Sequence, residues 1–553
     1  MGRLLLRSLS FFCSALLASS VFGLERKYQP VILTGNHFVE MIGIPIDNLV
    51  LMNYKSASNS WHGIPFQIDQ ITDGSYFGFH SGILSEPDEL VFLAKDLADE
   101  APDSSWPNLN NTTIAGRYKI EMEDPLTNSN EEKGVIYLVL VLDPLSLSIQ
   151  DFVSPDQTND RIVSRFFEMG FNQDNGLPED LQITQDNGGD NLDFLDRLKI
   201  HIAGQVNLAG FGNIPINLDE ESGIVKFDSS GFENPRYLDG PVRVIRDLFI
   251  TLQIPLGGFG NIPLPGIFGF RMQFFPYSMV IKLENLDFSI LSDLNGQLNS
   301  IRVSFDHNIH ATGMTFLNAS NTLTIDGNVD SNVDLSLSVP GFNWNMATGN
   351  PGSIFTNIFV PALGDEQLLY YHDDKNGGSA DETDDSGDGV SYGDAGFMAR
   401  GSITSGSFDL FSTSYFLPAN QTRMQAEQLF AWEQNPLQLT QTVYETQTTD
   451  VTNEPIPVRF FLLKVYPNPY LLRDSTALTL QFSLIERDEI TLSLVNALGQ
   501  IIAQKESKSL SIGKHQIDWD LRQLTEISLP TGLYWIVAQG QSSRQTQKIL
   551  LLR

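Results

Sequence analysis

The chain has 553 residues, 41% of them hydrophobic and 18% charged, with 44 Gly, 27 Pro and 36 Phe. That much apolar material excludes wholesale disorder and suits about three or four domains at ~150 residues each. Lys and Arg number 34 against 67 Asp and Glu, a net charge of −33 that repels phosphate backbones, so no nucleic-acid partner is expected. The single cysteine is Cys13, so a chain lacking its first two dozen residues has no disulfide, thiolate zinc site or cysteine nucleophile.

Residues 1–23 read as a secretory signal peptide. Arg3 and Arg7 supply the positive start, Ser8 to Phe22 is uncharged and mostly apolar, and Val21-Phe22-Gly23 suits cleavage. The stretch is shorter than the ~20 apolar residues that span a bilayer. Cys13 has no Leu-small-small context of the lipoprotein kind. Farther on, Ile254 to Val280 is apolar but interrupted by Pro255, Pro263, Pro265 and Pro276, which breaks helical hydrogen bonding, so no transmembrane anchor is expected.

A first β-sandwich is expected over 24–155. It holds Ile64-Pro65-Phe66-Gln67-Ile68-Asp69, Asp88-Glu89-Leu90-Val91-Phe92-Leu93-Ala94-Lys95-Asp96 and the continuous apolar run from Val135 to Leu142. Such a run fits a strand buried on both faces. The acidic patch Asp88, Glu89, Asp96, Asp99 reads as a turn surface or a cation site rather than an acid/base pair. A larger sandwich is expected over 156–440, with short helices near Asn191–Leu198 and Met424–Trp432 and a half-buried strand over Val333–Val339. It contains Asp239-Gly240-Pro241-Val242-Arg243-Val244-Ile245-Arg246. This segment and the two motifs of the first block resemble parts of large secreted β-sandwich proteins associated with polysaccharide use.

Gly210-Phe211-Gly212-Asn213-Ile214-Pro215 recurs as Gly258-Phe259-Gly260-Asn261-Ile262-Pro263 without repeated flanks, which points to two equivalent hairpin loops rather than a solenoid. Phe211 and Phe259 read either as an exposed contact pair or as plugs of a sandwich end. In Asp306-His307-Asn308-Ile309-His310, strand geometry sends His307 and His310 to opposite faces, which favours a structural role over metal ligation.

The acidic loop 365–396 carries ten carboxylates between Asp365 and Asp394 against Lys375 alone. Asp384-Asp385-Ser386-Gly387-Asp388-Gly389 places oxygen ligands at alternate positions before a glycine turn, as calcium's six to eight oxygens require. The pattern resembles the start of an EF-hand loop, but position twelve is Ala395. Two readings stand: a calcium site with Asp384, Ser386, Asp388 and Asp394 as ligands, or a solvated acidic loop. The chain has no His-Glu-x-x-His and no Walker loop, and carboxylates are too abundant for any pair to identify a glycosidase.

After a linker expected over 441–462, the last ninety-odd residues alternate apolar and polar with frequent turns, as a small immunoglobulin-like sandwich does. Tyr466-Pro467-Asn468-Pro469, the strand with Gly532-Leu533-Tyr534, and the terminal Lys548-Ile549-Leu550-Leu551-Leu552-Arg553 occur in order. In this, residues 463–553 resemble the type A C-terminal sorting domain of the type IX secretion system; Arg553 stands where Lys is commoner. The resemblance implies a Bacteroidetes-type bacterium, Sec export, passage across the outer membrane by the type IX machinery, and removal of the domain with release or surface attachment. The expectation is therefore a mainly β, multidomain protein, secreted or at the outer-membrane surface. Its cargo is read as a glycan- or matrix-binding β-sandwich protein; alternatively, it is a polysaccharide-degrading hydrolase or lyase on that scaffold.

Overall fold

The computed structural model describes residues 26–552 except 110–111, 128–132, 144–149, 209–211, 227–232, 256–260, 264–267, 288–295, 338–340, 361–362, 377–388, 404–406, 447–459, 474–476, 485–488, 497–498, 507–509, 511–512, 524–528 and 541–543. The expected signal peptide lies outside the described residues. The rest is mainly β, in sandwiches of antiparallel sheets.

In the N-terminal sandwich, a three-stranded sheet (Pro30–Thr34, Glu89–Leu93, Gln67–Asp69) packs on a five-stranded one. The larger runs Gln438–Glu445, Ile114–Glu123, Lys133–Val141, Leu49–Lys55, Ser60–Gly63. Ile136, Leu138 and Leu140 enter the core between the sheets, while Val135, Tyr137, Val139 and Val141 join a second cluster on the opposite face. That double burial is why Val135–Leu142 reads as one unbroken apolar run. The edge strand Gln438–Glu445 pairs with Ile114–Glu123, so residues 441–445, expected as linker, belong to this sheet. An edge strand paired on one side and half-exposed on the other keeps polar residues, which makes it look like linker.

The large sandwich sets a five-stranded sheet against one of eleven strands. The five run Gly212–Leu218, Leu195–Leu208, Gln297–His307, Ser391–Ile403, Glu366–Asp374. The helix expected over 191–198 is absent: Leu195–Leu208 is a strand that pairs with Gln297–His307 from Leu195 onward. Leu192, Leu195 and Leu198 have helical spacing, but Leu198, Ile200 and Ile202 alternate into the core and the ladder decides. Val333, Leu335 and Leu337 pack against the core with the expected alternation. Residues 333–337 nevertheless form no strand; the Leu369 amide donates to the Leu335 carbonyl at 2.9 Å. The second expected helix is present as Arg423–Gln434, capped by Thr422, whose hydroxyl accepts from the Gln425 amide. Ala426, Leu429 and Trp432 on it cover Trp344, Met346 and Phe355 of the larger sheet.

The five-stranded sheet has two unlike faces. Ile200, Ile301 and Phe397 point into the apolar core. Lys199, Arg302 and Asp306, on the other face, are also fully buried. Lys199 Nζ lies 2.7 Å from the Asp306 carboxylate. Glu220, after the edge strand, accepts from the Ile200 amide at 3.1 Å, and burial pushes its carboxyl up to about 7.

The two sandwiches are joined through charge. Arg243 is fully buried, with Nε 2.8 Å from Asp69, a terminal nitrogen 2.7 Å from Glu89, and Gln273 at 3.2 Å. Gln67 accepts from the amides of Val242 and Arg243 at 3.0 and 2.7 Å. A second tie runs from Arg26 to Asp124 at 2.6 Å and to the carbonyls of Trp432 and Asn435. The C-terminal sandwich, of three and five strands, has its own core around Leu480, Leu492, Ile536 and Ile549.

Two outcomes follow from these buried charges. Arg243→Ala leaves two carboxylates buried without their cation and should cost about 3–5 kcal/mol in urea unfolding, most of it recovered by Arg243→Met with Asp69→Asn and Glu89→Gln. Glu220 keeps its proton to higher pH folded than unfolded, so its contribution is full below about 4.5 and is lost as pH rises toward about 7. Glu220→Gln should therefore gain stability relative to the native chain across that window, on the order of a few kcal/mol. Melts of both proteins from acid to neutral pH check this.

Candidate functional site

The strongest surface candidate lies on the outer face of the N-terminal five-stranded sheet. Cross-strand register places Tyr54 opposite Trp61 and Met52 opposite Tyr137, so these side chains line one face. Arg117, in the next strand, is buried among three rings, with its guanidinium 4.2 Å from Trp106, 4.7 Å from Tyr137 and 5.3 Å from Trp61. Glu445 holds it at 2.6 Å and the Ser105 carbonyl at 2.7 Å. Such cation–π contacts strengthen when desolvated. Trp61 Nε1 donates to Ser105 Oγ at 3.1 Å and Trp106 Nε1 to the Asp103 carbonyl at 3.1 Å. Burial pushes the Tyr137 hydroxyl up to about 12, and that oxygen accepts from the Ala101 amide at 2.8 Å.

Trp61 and Trp106 themselves are half-buried. The sheet thus presents two tryptophans fixed in place, with the Lys119–Glu100 ion pair at 2.6 Å on the same face. Sequence reasoning missed this platform. Trp61 and Trp106 lie far apart in the chain, and only the fold of the 94–109 segment over the sheet brings them to one arginine.

The acidic loop is divided. Asp384, Ser386 and Asp388 lie outside the described residues. Asp394, the fourth expected ligand, is fully buried on Ser391–Ile403, and neither carboxylate oxygen has a hydrogen-bond partner among the described residues. Nearby, Asp373 accepts from the amides of Asp326, Gly327 and Gly393 at 2.8, 2.9 and 3.2 Å. Burial outweighs those bonds and pushes its carboxyl up to about 6. Among the described residues, no group of three or more His, Cys, Asp or Glu side chains is placed to hold a metal ion.

His307 and His310 do separate. His307 is buried at the strand end, with Nδ1 3.2 Å from the carbonyls of Tyr392 and Gly393, and burial holds its ring below the usual imidazole range. His310 is exposed on a one-turn 3-10 segment, Ile309–Ala311. The Asp88 patch disperses into separate partners: Asp88 caps the Ser85 amide at 2.7 Å, Glu89 holds Arg243, Asp96 pairs with Lys95, and Asp99 accepts from Ser56. Phe211 and Phe259 lie outside the described residues.

Gly389-Val390-Ser391-Tyr392-Gly393 spells the nucleophile-elbow pattern of acyl-transfer enzymes, a string absent from the expectations above. Here it opens a strand instead of turning from strand to helix. Ser391 is fully buried and its hydroxyl accepts from the Asp374 amide at 3.1 Å. His307, on a paired strand, bonds the carbonyls of Tyr392 and Gly393, and the string serves the ladder.

Residues 464–552 match the family model for the secretion system C-terminal sorting domain. The comparison with curated proteins finds no match. Among solved structures, PorZ, an essential surface component of the type IX secretion system of Porphyromonas gingivalis, is 10% identical, with 75% of this chain and 62% of that chain covered and a TM-score of 0.13. The chain thus spans less than two thirds of the length of PorZ. A truncated trimeric ectodomain of the C. elegans fusion protein EFF-1 is 9% identical, with coverages of 80% and 85% and a TM-score of 0.12. At those scores neither likeness informs the cargo. Among the described residues no helix is long and apolar enough to cross a membrane. With the ordered motifs on a two-sheet sandwich and that family match, residues 464–552 are a C-terminal sorting domain, and the chain is a type IX secretion cargo, secreted or displayed at the cell surface.

Proposed function

We propose that the cargo is a non-catalytic binding protein that contacts a neutral glycan, at the cell surface or in extracellular matrix, through the Trp61–Trp106 platform. The observation that supports this reading is the pair of half-buried tryptophans held by a buried, fully engaged arginine on a rigid sheet. Trp, Tyr and Arg dominate binding hot spots because large rings give contact area at small entropic cost. The net charge of −33 argues against an anionic polymer and for an uncharged one. Calcium is the proposed cofactor, bound by Asp384, Ser386, Asp388 and Asp394. Its support is the buried Asp394 carboxylate at the end of the acidic segment.

A second reading, a polysaccharide hydrolase or lyase, draws on Tyr370 and Arg302 in the large sandwich, where an Arg302 nitrogen donates to the Tyr370 hydroxyl at 3.1 Å. Both are buried, which favours the binding reading.

The test is retention of the purified mature chain on a panel of insoluble neutral and charged glycans. Trp106→Ala should weaken retention on a neutral glycan about tenfold or more with little change in thermal midpoint. Equal retention by the variant would remove the platform from the reading. New reducing ends or unsaturated products would replace binding with catalysis. For calcium, EDTA should lower the midpoint by several degrees and added calcium restore it, as a ligand at about 100 times its Kd contributes ~2.7 kcal/mol. An unchanged melt would discard the metal.

A further inference from the structure

Between the two sheets of the large sandwich lies an apolar void that no function above uses. Its volume, counted by the centres of water-sized spheres, is about 80 Å3. The walls come from Leu195–Leu208, Gln297–His307 and Ser391–Ile403 on one sheet. On the other sheet they come from Ile224–Lys226, Val244–Pro255, Phe268–Phe275, Ser278–Asp287, Ser407–Leu417 and Gly352–Phe359, six strands that are successive neighbours. The walls thus span six neighbouring strands of one sheet and three of the other. A small volume spread beneath that many strands is narrow, about one polymethylene chain wide.

The wall chemistry agrees with this shape. Ile200, Leu252, Phe270, Ile281 and Phe397 are representative, and the polar side chains that face the space are those of Thr356 and Ser412. The Thr356 hydroxyl is already 3.1 Å from that of Ser414. No charged side chain lines the space. Val303, in the middle of its strand and on the core face, is only half-buried, as a residue facing an unfilled space is. Protein cores close to crystal-like density, and an apolar cavity large enough to matter stays dry and takes up apolar guests. A linear hydrocarbon needs no hydrogen bonds inside and restores the dispersion contacts that the void forfeits.

The geometry points to a binding channel for a single linear hydrocarbon chain with an uncharged head, such as a long-chain alcohol or the acyl chain of an ester. The site is separate from the aromatic platform and is lined by none of the four proposed calcium ligands. A compact aromatic guest would fill only part of the channel, and a carboxylate drawn inside would lack a cation.

The purified full chain is incubated with hexadecanol, and separately with hexadecanoate, and examined by native mass spectrometry and thermal melting. The expected result is one hexadecanol per chain with a raised midpoint, and weaker uptake of hexadecanoate. Val303→Phe places a ring in the channel and should reduce the adduct roughly tenfold or more, with a ligand-free midpoint no lower than that of the native chain. An adduct of undiminished strength in that variant overturns the proposal, as does absence of an adduct on the native chain at saturating alcohol. Because a filled variant can fail to fold, a second measurement uses the native chain alone. Hexadecanol should slow amide hydrogen exchange in 244–255 and 297–307 and leave 532–539 of the sorting domain unchanged. Uniform or absent protection also overturns it.

Discussion

The buried guanidinium of Arg243 is the contact on which the arrangement of the cargo depends. It stands at the entry to Val244–Pro255, a strand of the large sheet, and reaches both Asp69 and Glu89 of the N-terminal sandwich. Removing three charged groups from water is costly, and attraction within the low-dielectric interior offsets the cost only when geometry is good and remaining polar atoms are bonded. That condition is met: Gln67 serves the Arg243 backbone, Gln273 takes another guanidinium hydrogen, and the Tyr76 hydroxyl donates to Glu89 at 2.9 Å. Around it Val91, Leu93, Val242 and Phe275 form a small apolar cluster that excludes water. The two sandwiches therefore meet in a specific register. A purely apolar interface would permit sliding that a three-point charge contact does not.

The chain closes this arrangement from its other end. After the helix Arg423–Gln434, the strand Gln438–Glu445 returns to pair with Ile114–Glu123, so the N-terminal sheet is completed by residues more than three hundred positions later. Arg26 ties the start of the described chain to Asp124 and to the helix end. Glu445 at the tip of that returning strand is also the carboxylate that fixes Arg117 under the tryptophans. The aromatic platform thus depends on the chain's return from the large sandwich to the N-terminal sheet. In contrast, the sorting domain keeps its core to itself.

Local patterns carried much of the fold. Alternation marked the strands of the sorting domain, of which Leu478–Leu484 is one. The unbroken run at Val135 signalled a doubly buried strand, and Thr422 with Gln425 capped the one expected helix that formed. What escaped was non-local. Leu192 to Leu198 has helical spacing, and only the ladder with Gln297–His307 makes it otherwise. The segments around Gln67, Glu89 and Arg243 stood out as motifs, yet nothing local reveals that they meet at one guanidinium. The same holds for Trp61, Trp106 and Arg117. Asp394 was legible as a candidate ligand from the acidic run, whereas its complete burial follows from strand register that no composition shows.

Charge of both signs is buried, and the outside of the molecule is acidic all the same. Arg26, Arg117, Arg243, Arg246, Arg302 and Lys199 are all within the interior, withdrawn from an already small supply of 34 basic residues. Each is matched by a buried or half-buried carboxylate or by carbonyls and rings, so their removal from the surface does not leave the interior charged. Nine Asp and Glu are buried with these six cations among the described residues, so the acidic exterior follows from the chain's excess of carboxylates and not from burial. An acidic exterior of this kind resists self-association and repels anionic polymers at distances up to about 10 Å at ordinary salt. Attraction at short range must then come from something other than charge. Aromatic rings at the platform and hydrocarbon surface within the large sandwich are the two places where this fold supplies it, one suited to a polar uncharged ligand and the other to an apolar chain.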